Sequence, residues 1–295
     1  MFRVRRAERL YVPDLGEDLT LKLAAVPHYT SRAHFGLWHA RMGRPDFGSR
    51  QSIFTPLVVV ELEANATRAE LGVSLQVAGR AQLARVLTPS GEIRGLAREG
   101  FYSLAQRGRG LLGSARFVNL FTRYDPDPLQ RRITELPTAY GLGTAPDRVL
   151  ALPSVEDLLD GEATQGNAEL SRFRDSEPLV FHYAQTDANR HVNGMEYVRL
   201  AEDAAAQALQ PLIDLRRIFE ARARIVYRKP CFSGALFRRE ARVYQHPADP
   251  GSFVTTIAIT PEGDARPACA VVLDWQHSAT TPSKSNATAE EAEPR

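Results

Sequence analysis

Residues 179–209 read LVFHYAQTDANRHVNGMEYVRLAEDAAAQAL and carry the clearest secondary-structure pattern in the chain. Its first residues, Leu179–Tyr183, form a short apolar run that is typical of a strand, and a polar turn follows. From Asn193 to Leu209 apolar residues recur at helical spacing, which predicts a helix that Asn193 caps and Pro211 ends. The apolar positions are Met195, Val198, Ala201, Ala205 and Leu209.

Strand-like runs follow this helix, and we expect them to form a largely antiparallel sheet. They span Phe219–Arg228, Leu236–Gln245, Phe253–Thr260 and Ala268–Gln276. A long helix wrapped by a curled antiparallel sheet is the hot-dog arrangement. The second half of the chain therefore predicts one α+β hot-dog domain.

The first half of the chain shows the same order of elements. Leu19–Val26 predicts a strand, and a helix is expected from Thr30 or Ser31 to about Met42, with Gly43 as its stop. The strand-like runs behind it span Pro56–Glu63, Ala69–Ala78, Gln82–Leu87 and Ile93–Leu104. A repeat of more than 100 residues indicates duplicated domains rather than a solenoid.

The sequence thus predicts a tandem, or double, hot-dog fold. The first domain is expected at residues 1–136 and the second at 179–277. Residues 137–178 read as a linker rich in Gly, Pro, Ser and charge, with one helical turn at Val155–Leu159. Residues 278–295 have no apolar period and are expected to be a disordered tail. Because one chain holds both units, either a monomer or a homodimer fits.

Composition excludes several classes of protein. The 37 basic and 35 acidic residues leave a net charge of +2, which argues against nucleic acid as the partner. Two cysteines exclude a disulfide scaffold, and no apolar run approaches the roughly 20 residues that cross a bilayer. No secretion signal is recognisable, and arginine far outnumbers lysine, as in GC-rich genomes, so we expect a cytoplasmic bacterial protein.

The segment Gln185–Tyr197 concentrates the residues that carry chemistry. It places the carboxylate of Asp187, the amide of Asn189 and the imidazole of His191 just before a helix start. Unpaired N–H groups and the positive dipole end at residues 192–194 can polarise a carbonyl and hold an oxyanion. A carboxylate beside them can orient or deprotonate water. Hydrolysis of an acyl thioester needs both functions.

The pattern Asp-x-Asn-x-His-Val-Asn-x-x-x-Tyr at residues 187–197 resembles the active-site segment of the double hot-dog acyl-ACP thioesterases. The resemblance implies that Asp187 is the base or nucleophile and that Asn189 and His191 polarise and position the substrate. It also implies an acyl carrier protein or CoA thioester as the partner, and neither a cofactor nor a metal is expected. The expected substrate-binding residues are Val192, Asn193, Gly194, Tyr197 and Cys231.

The resemblance extends to Tyr227–Cys231, where the family commonly reads Tyr-Arg-Arg-Glu-Cys. The family's Glu is Pro230 here, and proline offers neither a carboxylate nor an N–H. Asp187 then acts as base alone, or the chain binds acyl thioesters without efficient hydrolysis. A third alternative is a dehydratase or cyclase acting on carrier-bound chains, with His191 as the proton-transfer group. Cys231 is expected to be a wall residue rather than a reactive thiol.

The first half lacks this motif, so one active site is expected, with the first half supplying part of an acyl-chain tunnel. The candidate lining residues are Phe35, Leu37, Trp38 and the run Leu57, Val58, Val59 and Val60. His28, His34 and His39 are interpreted as packing or surface residues, because His34 and His39 lack the i, i+4 spacing of a metal pair. Gly108–Gly113 matches Gly-x-Gly-x-x-Gly without a parallel βαβ unit, and we expect a mobile loop.

Residues 216–242 hold nine basic residues against Glu220 and Glu240. The usual interpretation is a solvated sheet face. The alternative is a docking patch for an acidic carrier protein or for the phosphates of CoA or phosphopantetheine. Its candidate residues are Arg222, Arg224, Arg228 and Lys229. In this run Ala223, Ile225 and Tyr227 are expected on the opposite face of the strand.

Overall fold

The computed structural model describes residues 2–16, 18–42, 53–88, 90–123, 130–135, 148–161, 167–187, 190–246 and 251–277, and the single residues 125, 127, 164 and 249; the side chains of 38–42 are not included. The helices are α1 (Ala25–Met42), α2 (Val155–Leu159) and α3 (Gly194–Leu209). The strands of the first half are β1 (Phe2–Glu8), β2 (Ile53–Phe54), β3 (Leu57–Ala64), β4 (Leu75–Leu87), β5 (Ile93–Gln106), β6 (Gly110–Leu120) and β7 (Thr122–Arg123). Those that follow are β8 (Val149–Leu150), β9 (Glu169–Arg174), β10 (Leu179–Val180), β11 (Ile218–Tyr227), β12 (Leu236–Gln245), β13 (Phe253–Pro261) and β14 (Cys269–His277).

One sheet of twelve strands runs through both halves. Its order is β1-β4-β5-β6-β3-β11-β14-β13-β12-β10, with β8 added beside β4 and β9 beside β12. Every pairing in it is antiparallel except that of β8 with β4. The halves join where Val59–Glu63 of β3 pairs with Arg222–Val226 of β11. The backbone hydrogen bonds of one half therefore continue directly into those of the other.

Each half places its long helix against its own strands. Helix α1 contacts β1, β4, β5 and β6, and helix α3 contacts β9, β12, β13 and β14. A single apolar cluster extends through both halves and includes the buried face of α3. This architecture confirms the predicted tandem arrangement of a helix and an antiparallel sheet.

The second half follows its sequence pattern closely. Helix α3 begins at Gly194 with Asn193 as its N-cap and ends at Leu209, as predicted. Strand β12 has the predicted limits, β11 and β14 are shifted by one residue at both ends, and β13 begins as predicted and ends one residue later. Ala223 and Ile225 are buried while Arg222 is exposed, which fits the predicted alternation along β11.

The start of α1 was predicted wrongly. The helix begins at Ala25, so the predicted strand Leu19–Val26 and the cap at Thr30 or Ser31 do not form. The Thr30 hydroxyl instead donates to the Val26 carbonyl oxygen at 2.8 Å, a bond that a threonine makes inside a helix. Pro27 is tolerated because the first-turn N–H that it lacks has no partner within the helix. Gly43, the predicted stop, lies outside the described residues.

Strand β4 is one continuous strand where two runs were predicted. A Cβ on Gly79 would lie 2.3 Å from Tyr102 Cδ1, so this glycine makes room for a ring and does not break the strand.

The sequence patterns did not predict strand β6. Gly108 and Gly110, at φ of 80° and 88°, form the β5–β6 turn, and Leu111–Gly113 lies in β6, so the predicted mobile loop is a hairpin.

The segment predicted as a linker contains more structure than one turn. Helix α2 forms at the predicted residues, with Ser154 and Asp157 making a capping box. Strand β9 also lies in this segment and pairs with β12. Residues 278–295, the predicted tail, lie outside the described residues.

No helix in the described part of the chain is long and apolar enough to span a membrane.

Candidate active site

The segment before α3 is a loop closed by its own backbone. Thr186 forms a bridge with Val192, and Asp187 N donates to His191 O at 2.8 Å. Arg190 N donates to Asp187 O at 2.9 Å, which requires a tight turn, and Arg190 adopts a positive φ of 62°. The loop therefore holds Asp187 and His191 at the two ends of one short hydrogen-bonded turn. Asn189 lies outside the described residues.

The segment around Cys231 is the second wall of this site. Val192 N donates to Cys231 O at 2.9 Å, and His191 forms a bridge with Phe232. The rings of His191 and Phe232 meet edge to face with centroids 5.1 Å apart. The two segments that carried the sequence resemblance are thus hydrogen-bonded to each other.

Asn193 is committed to the helix start. Its side-chain oxygen accepts from Met195 N at 2.9 Å, and its own N–H donates to Gln185 O at 2.8 Å. We predicted that Asn193 binds substrate; the geometry assigns its amide oxygen to the N-cap. The cap orients the first turn of α3 toward the loop that carries Asp187.

Only one of the three predicted oxyanion donors is available. Val192 N and Asn193 N already donate to backbone oxygens, whereas Gly194 N has no hydrogen-bond acceptor among the described residues. Tyr227 Oη donates to Gly194 O at 2.7 Å and holds this peptide in place. The Gly194 N–H lies at the dipole end of α3, where the positive end of a helix favours an oxygen that carries negative charge.

The absence of a side chain at Gly194 leaves space beside this N–H group. A Cβ there would lie 3.2 Å from Tyr227 Oη and 3.5 Å from Leu57 Cδ2. Glycine therefore leaves a narrow space between the helix start, Tyr227 and Leu57. Leu57 belongs to β3, so the first half of the chain contributes to the wall of the site.

Cys231 and Tyr197 are buried beside the loop. Burial raises the pKa of the Cys231 thiol above its ordinary value, so the thiol is protonated at neutral pH. Burial also raises the pKa of Tyr197, and the neighbouring Cys231 adds to that effect. Neither group is prepared as a nucleophile, because a thiolate or phenolate would be required. Asp187 is exposed and His191 half-buried.

The predicted docking residues make contacts within the chain. Arg222 Nη2 lies 2.8 Å from Glu63 Oε1, and Lys229 forms a close ion pair with Asp264. Arg228 donates to the carbonyl oxygens of Pro267 and Arg266 at 2.6 and 2.9 Å. Arg224 is half-buried on β11. A carrier phosphate would compete with these partners for the same N–H groups.

The residues predicted to line the acyl-chain tunnel lie in different surroundings. Leu57 borders Gly194, and Val59 and Val60 are buried in the sheet. Leu37 packs against the core, and Phe35 is 47% exposed. The Trp38 and His39 side chains lie outside the described residues. His28 is exposed, and His34 is buried.

A matching loop precedes α1, which sequence reasoning missed. Leu15 forms a bridge with Leu21, Gly16 N donates to Thr20 O at 2.9 Å, and Leu19 adopts a positive φ of 65°. Lys22 N donates to the carbonyl of residue 14 at 2.9 Å, just as Asn193 N does to that of residue 185. The duplication thus extends to individual hydrogen bonds, which only the backbone reveals because the side chains differ.

The predicted catalytic residues Asp187 and His191 have no counterpart of the same type in this first loop. Gly16 stands in the place of Asp187, Thr20 in that of His191, and Leu23 in that of Gly194. Across the described residues, no group of three or more His, Cys, Asp or Glu is arranged to hold a metal ion.

No protein-family model matches the sequence, and no curated protein matches it either. Solved structures do. A protein described as an oleoyl thioesterase from Lactobacillus plantarum is 12% identical, with a TM-score of 0.67 over 93% of this chain and 96% of that chain. The 12:0-ACP thioesterase from Umbellularia californica is 14% identical, with a TM-score of 0.64 over 93% and 94%. A MaoC-like dehydratase is 9% identical, with a TM-score of 0.51 over 86% and 83%. The chain has the double hot-dog fold.

Proposed function

We propose that this protein hydrolyses the thioester of a fatty acyl or polyketide chain carried by an acyl carrier protein or CoA. The observation that carries the proposal is the open Gly194 N–H at the capped start of α3, beside the loop that holds Asp187 and His191. An oxyanion donor and a carboxylate are the two groups that thioester hydrolysis requires. We further propose that residues 179–277 hold the active site and residues 1–136 the acyl chain.

In this mechanism Asp187 takes a proton from water, and the oxygen attacks the thioester carbonyl carbon. The carbonyl oxygen becomes an oxyanion that accepts from Gly194 N–H. When the tetrahedral intermediate collapses, the C–S bond breaks and the proton on Asp187 passes to the leaving thiolate. The products are a carboxylic acid and a free thiol. His191 and Asn189 position water and substrate.

Likeness of fold supports the choice of substrate. The names of two structural neighbours identify them as thioesterases, one of them acting on a 12:0-ACP. An acyl thioester is also the substrate that a donor at a helix start beside a carboxylate fits best. We therefore propose that the acyl carrier or CoA is the partner, without a cofactor.

The test is release of free thiol from acyl-CoA and acyl-ACP substrates. Asp187→Asn keeps the shape of the side chain and removes the base, and we expect the rate to fall by about 10²–10⁴-fold. The matched control is Asp18→Asn in the loop of the first half, where an amide oxygen still accepts from Thr20 N and Oγ1. Equal rates for wild type and Asp187→Asn would refute the proposal.

A non-catalytic acyl-thioester-binding protein is the second candidate, and Pro230 favours it. This proline occupies the place where the resembling family has a Glu. Pro230→Glu distinguishes the hydrolase from the binding protein. A protein that only binds acyl thioesters would release free thiol only after this substitution. The dehydratase alternative, supported by the fold of the MaoC-like dehydratase, predicts loss of water from a carrier-bound chain that stays attached, detectable by mass spectrometry.

A further inference from the structure

A groove of about 470 Å³ lies on the outer face of the first-half sheet, where β1, β4 and β5 run side by side. Val77 and Tyr102 are neighbours of groove residues along β4 and β5 and are buried in the core with α1, so the groove opens on the opposite face of the sheet. We call it the outer arginine groove. The side chains on this face are Arg3 and Arg5 of β1, Ala78 and Arg80 of β4, and Phe101 and Ser103 of β5.

The groove concentrates positive charge. Arg3, Arg5 and Arg80 are exposed, and among the described residues none of their guanidinium groups forms an ion pair with a carboxylate. Arg3 and Arg80 are direct partners across β1 and β4, where like charges repel. The Arg80 Cζ atom lies 5.2 Å from the centroid of the Phe101 ring, and this cation–π contact holds the guanidinium at the groove. An anion in the groove would offset the repulsion.

The register of the sheet gives the equivalent positions in the second half. Glu61 and Arg224 pair at the middle of the β3–β11 contact, where the two halves meet. Outward from Glu61, the successive partners on β6, β5, β4 and β1 are Arg116, Phe101, Arg80 and Arg3. Outward from Arg224, those on β14, β13, β12 and β9 are Val272, Thr256, Arg242 and Arg172. Arg80 therefore corresponds to Arg242, and Arg3 to Arg172.

The third arginine also recurs, but beside it a neutral residue replaces an acid. Two residues further along these strands, Arg5 pairs with Ala78 and Arg174 pairs with Glu240. Arg5 thus corresponds to Arg174, and Ala78 corresponds to Glu240. Both halves place three arginines at the same positions of the sheet, and only the second half adds a carboxylate among them.

The contacts of Glu240 show what these arginines bind in the second half. Its carboxylate accepts from Arg242 Nε at 2.8 Å and lies 2.7 Å from Arg242 Nη2 and 3.8 Å from Arg172 Nη1. The equivalent guanidinium groups, those of Arg80 and Arg3, have no such carboxylate in the part of the chain that the structure describes. The groove lies at this position of the first half. The chain's own acid therefore occupies the arginine arrangement in one half only.

Charge and size indicate the class of anion that fits the groove. Guanidinium groups form paired N–H bonds with the oxygens of phosphates and carboxylates. A single carboxylate contacts two arginines in the second half, whereas the groove offers three, which favours a doubly charged phosphate. The volume of about 470 Å³ is larger than a phosphate and typical of small-molecule sites, which span about 300–1,000 Å³. The Phe101 ring and the Ala78 methyl provide an apolar surface for the rest of the ligand.

We propose that the outer arginine groove binds an organic phosphate ester, with the phosphate between Arg80 and Arg3, where the second half places the Glu240 carboxylate. Arg5 is the third cation, and Phe101 contacts the organic part. The site is separate from the proposed active site, because it lies on the sheet face opposite α1 and does not include the loop before α3. A soluble ester and a lipid headgroup offer the same phosphate chemistry.

The test is calorimetric titration of the whole chain with phenyl phosphate and with benzoate at constant ionic strength. We expect one saturable site per chain, with phenyl phosphate bound at least about tenfold more tightly than benzoate. Ala78→Glu copies the second half and supplies an internal carboxylate, so it should weaken the binding of phenyl phosphate at least about tenfold, and so should Arg3→Met. The matched control is Arg199→Met on α3, which changes the net charge by the same amount and should leave binding unchanged.

Vesicles of phosphatidylcholine with phosphatidic acid distinguish the lipid headgroup from the soluble ester, by co-sedimentation. Vesicle binding that Ala78→Glu removes, without binding of phenyl phosphate, would assign the groove to the headgroup. Absence of binding in both arms would overturn the proposal in wild type alone, so a variant that thermal unfolding shows to be misfolded leaves it testable. Equal binding of benzoate would overturn the assignment to phosphate. An equal loss in Arg199→Met and Ala78→Glu would reflect net charge only and would overturn the site.

Discussion

The two loops that precede the long helices share one backbone and differ in their chemistry. Both begin with a 3-10 turn, close with a hydrogen bond from residue 16 or 187, and place a non-glycine residue at positive φ. The loop before α3 carries Asp187 and His191, whereas its counterpart carries Gly16 and Thr20. The hydrogen bonds that maintain the loop are made by backbone groups, so side chains can change there without loss of the fold.

The cores of the two halves also differ, but here the additional polar side chains lie in the first half. Under α1 the fold buries the polar side chains of His34, Arg98, Tyr102 and Asn119. At the strand positions that correspond to Arg98 and Asn119, the second half has the half-buried Phe253 and the buried Trp275. Only the first half thus buries a guanidinium and an imidazole in its core, whereas only the second half has Asp187 and His191 in its loop. The proposed function assigns hydrolysis of the thioester to the second half and binding of the acyl chain to the first.

The largest expected effect comes from a substitution that makes the start of α3 resemble the segment before α1. Gly194→Leu copies Leu23, the residue at the equivalent position before α1. Its side chain would occupy the space beside Tyr227 and Leu57 and cover the open N–H. We expect kcat to fall by about 10²–10³-fold, the usual result of losing one oxyanion donor.

The measurement for Gly194→Leu is the rate of thiol release at saturating acyl-CoA, with thermal unfolding as the check on folding. Leu23→Val in the first half is the control and should leave kcat unchanged. A folded Gly194→Leu protein with normal kcat would show that the oxyanion is held elsewhere.

A smaller effect on kcat should distinguish Tyr227 from Tyr29, two tyrosines whose hydroxyls each donate a hydrogen bond near one of the loops. Tyr227 donates to Gly194 O at the start of α3, and Tyr29 donates to the Asp14 carboxylate before the first-half loop. Removal of either hydroxyl should lower the free energy of unfolding by about 1–3 kcal/mol. Only Tyr227→Phe should also lower kcat, by about tenfold, because it loosens the peptide that carries the oxyanion donor.

Urea unfolding and thiol release, measured on Tyr227→Phe and Tyr29→Phe side by side, test this distinction. A parallel loss of kcat in Tyr29→Phe would mean that the two halves are coupled in catalysis and not divided.

The smallest effect concerns Glu220, a carboxyl residue of β11. Burial, and then the negative charge of Glu202, raises the pKa of the Glu220 carboxyl well above its ordinary value. Above pH 4.5 the unfolded chain releases this proton while the folded chain retains it, so Glu220 costs stability as the pH rises. Glu220→Gln should therefore raise the free energy of unfolding at pH 8 by at least about 1 kcal/mol and change it little at pH 4.

Urea unfolding at the two pH values measures this difference. Glu240→Gln is the control, because Glu240 is paired with Arg242 and Arg172 and should not stabilise the protein when replaced. Equal stability of wild type and Glu220→Gln at pH 8 would contradict the assigned direction of the pKa.

Sequence patterns predicted the second half better than the first. The helical period and the N-cap of α3, and the strand runs of β11 to β14, are local signals that the structure confirms. The start of α1 was missed because Thr30 resembles a cap but bonds back to Val26 inside the helix. Strand β6 was missed because its first residues match a glycine-rich loop, and their pairing with β5 is a tertiary property.

By itself, the sequence determined the order of elements from β10 to β14, the duplication and the position of Asp187 and His191 before a capped helix, because these depend on neighbours along the chain. Only the tertiary structure decided that Gly194 N–H stays open while Val192 N–H is taken by Cys231 O. It also decided that Arg98 is buried against His34. Such features depend on hydrogen bonds and packing between residues far apart in sequence, which no local pattern records.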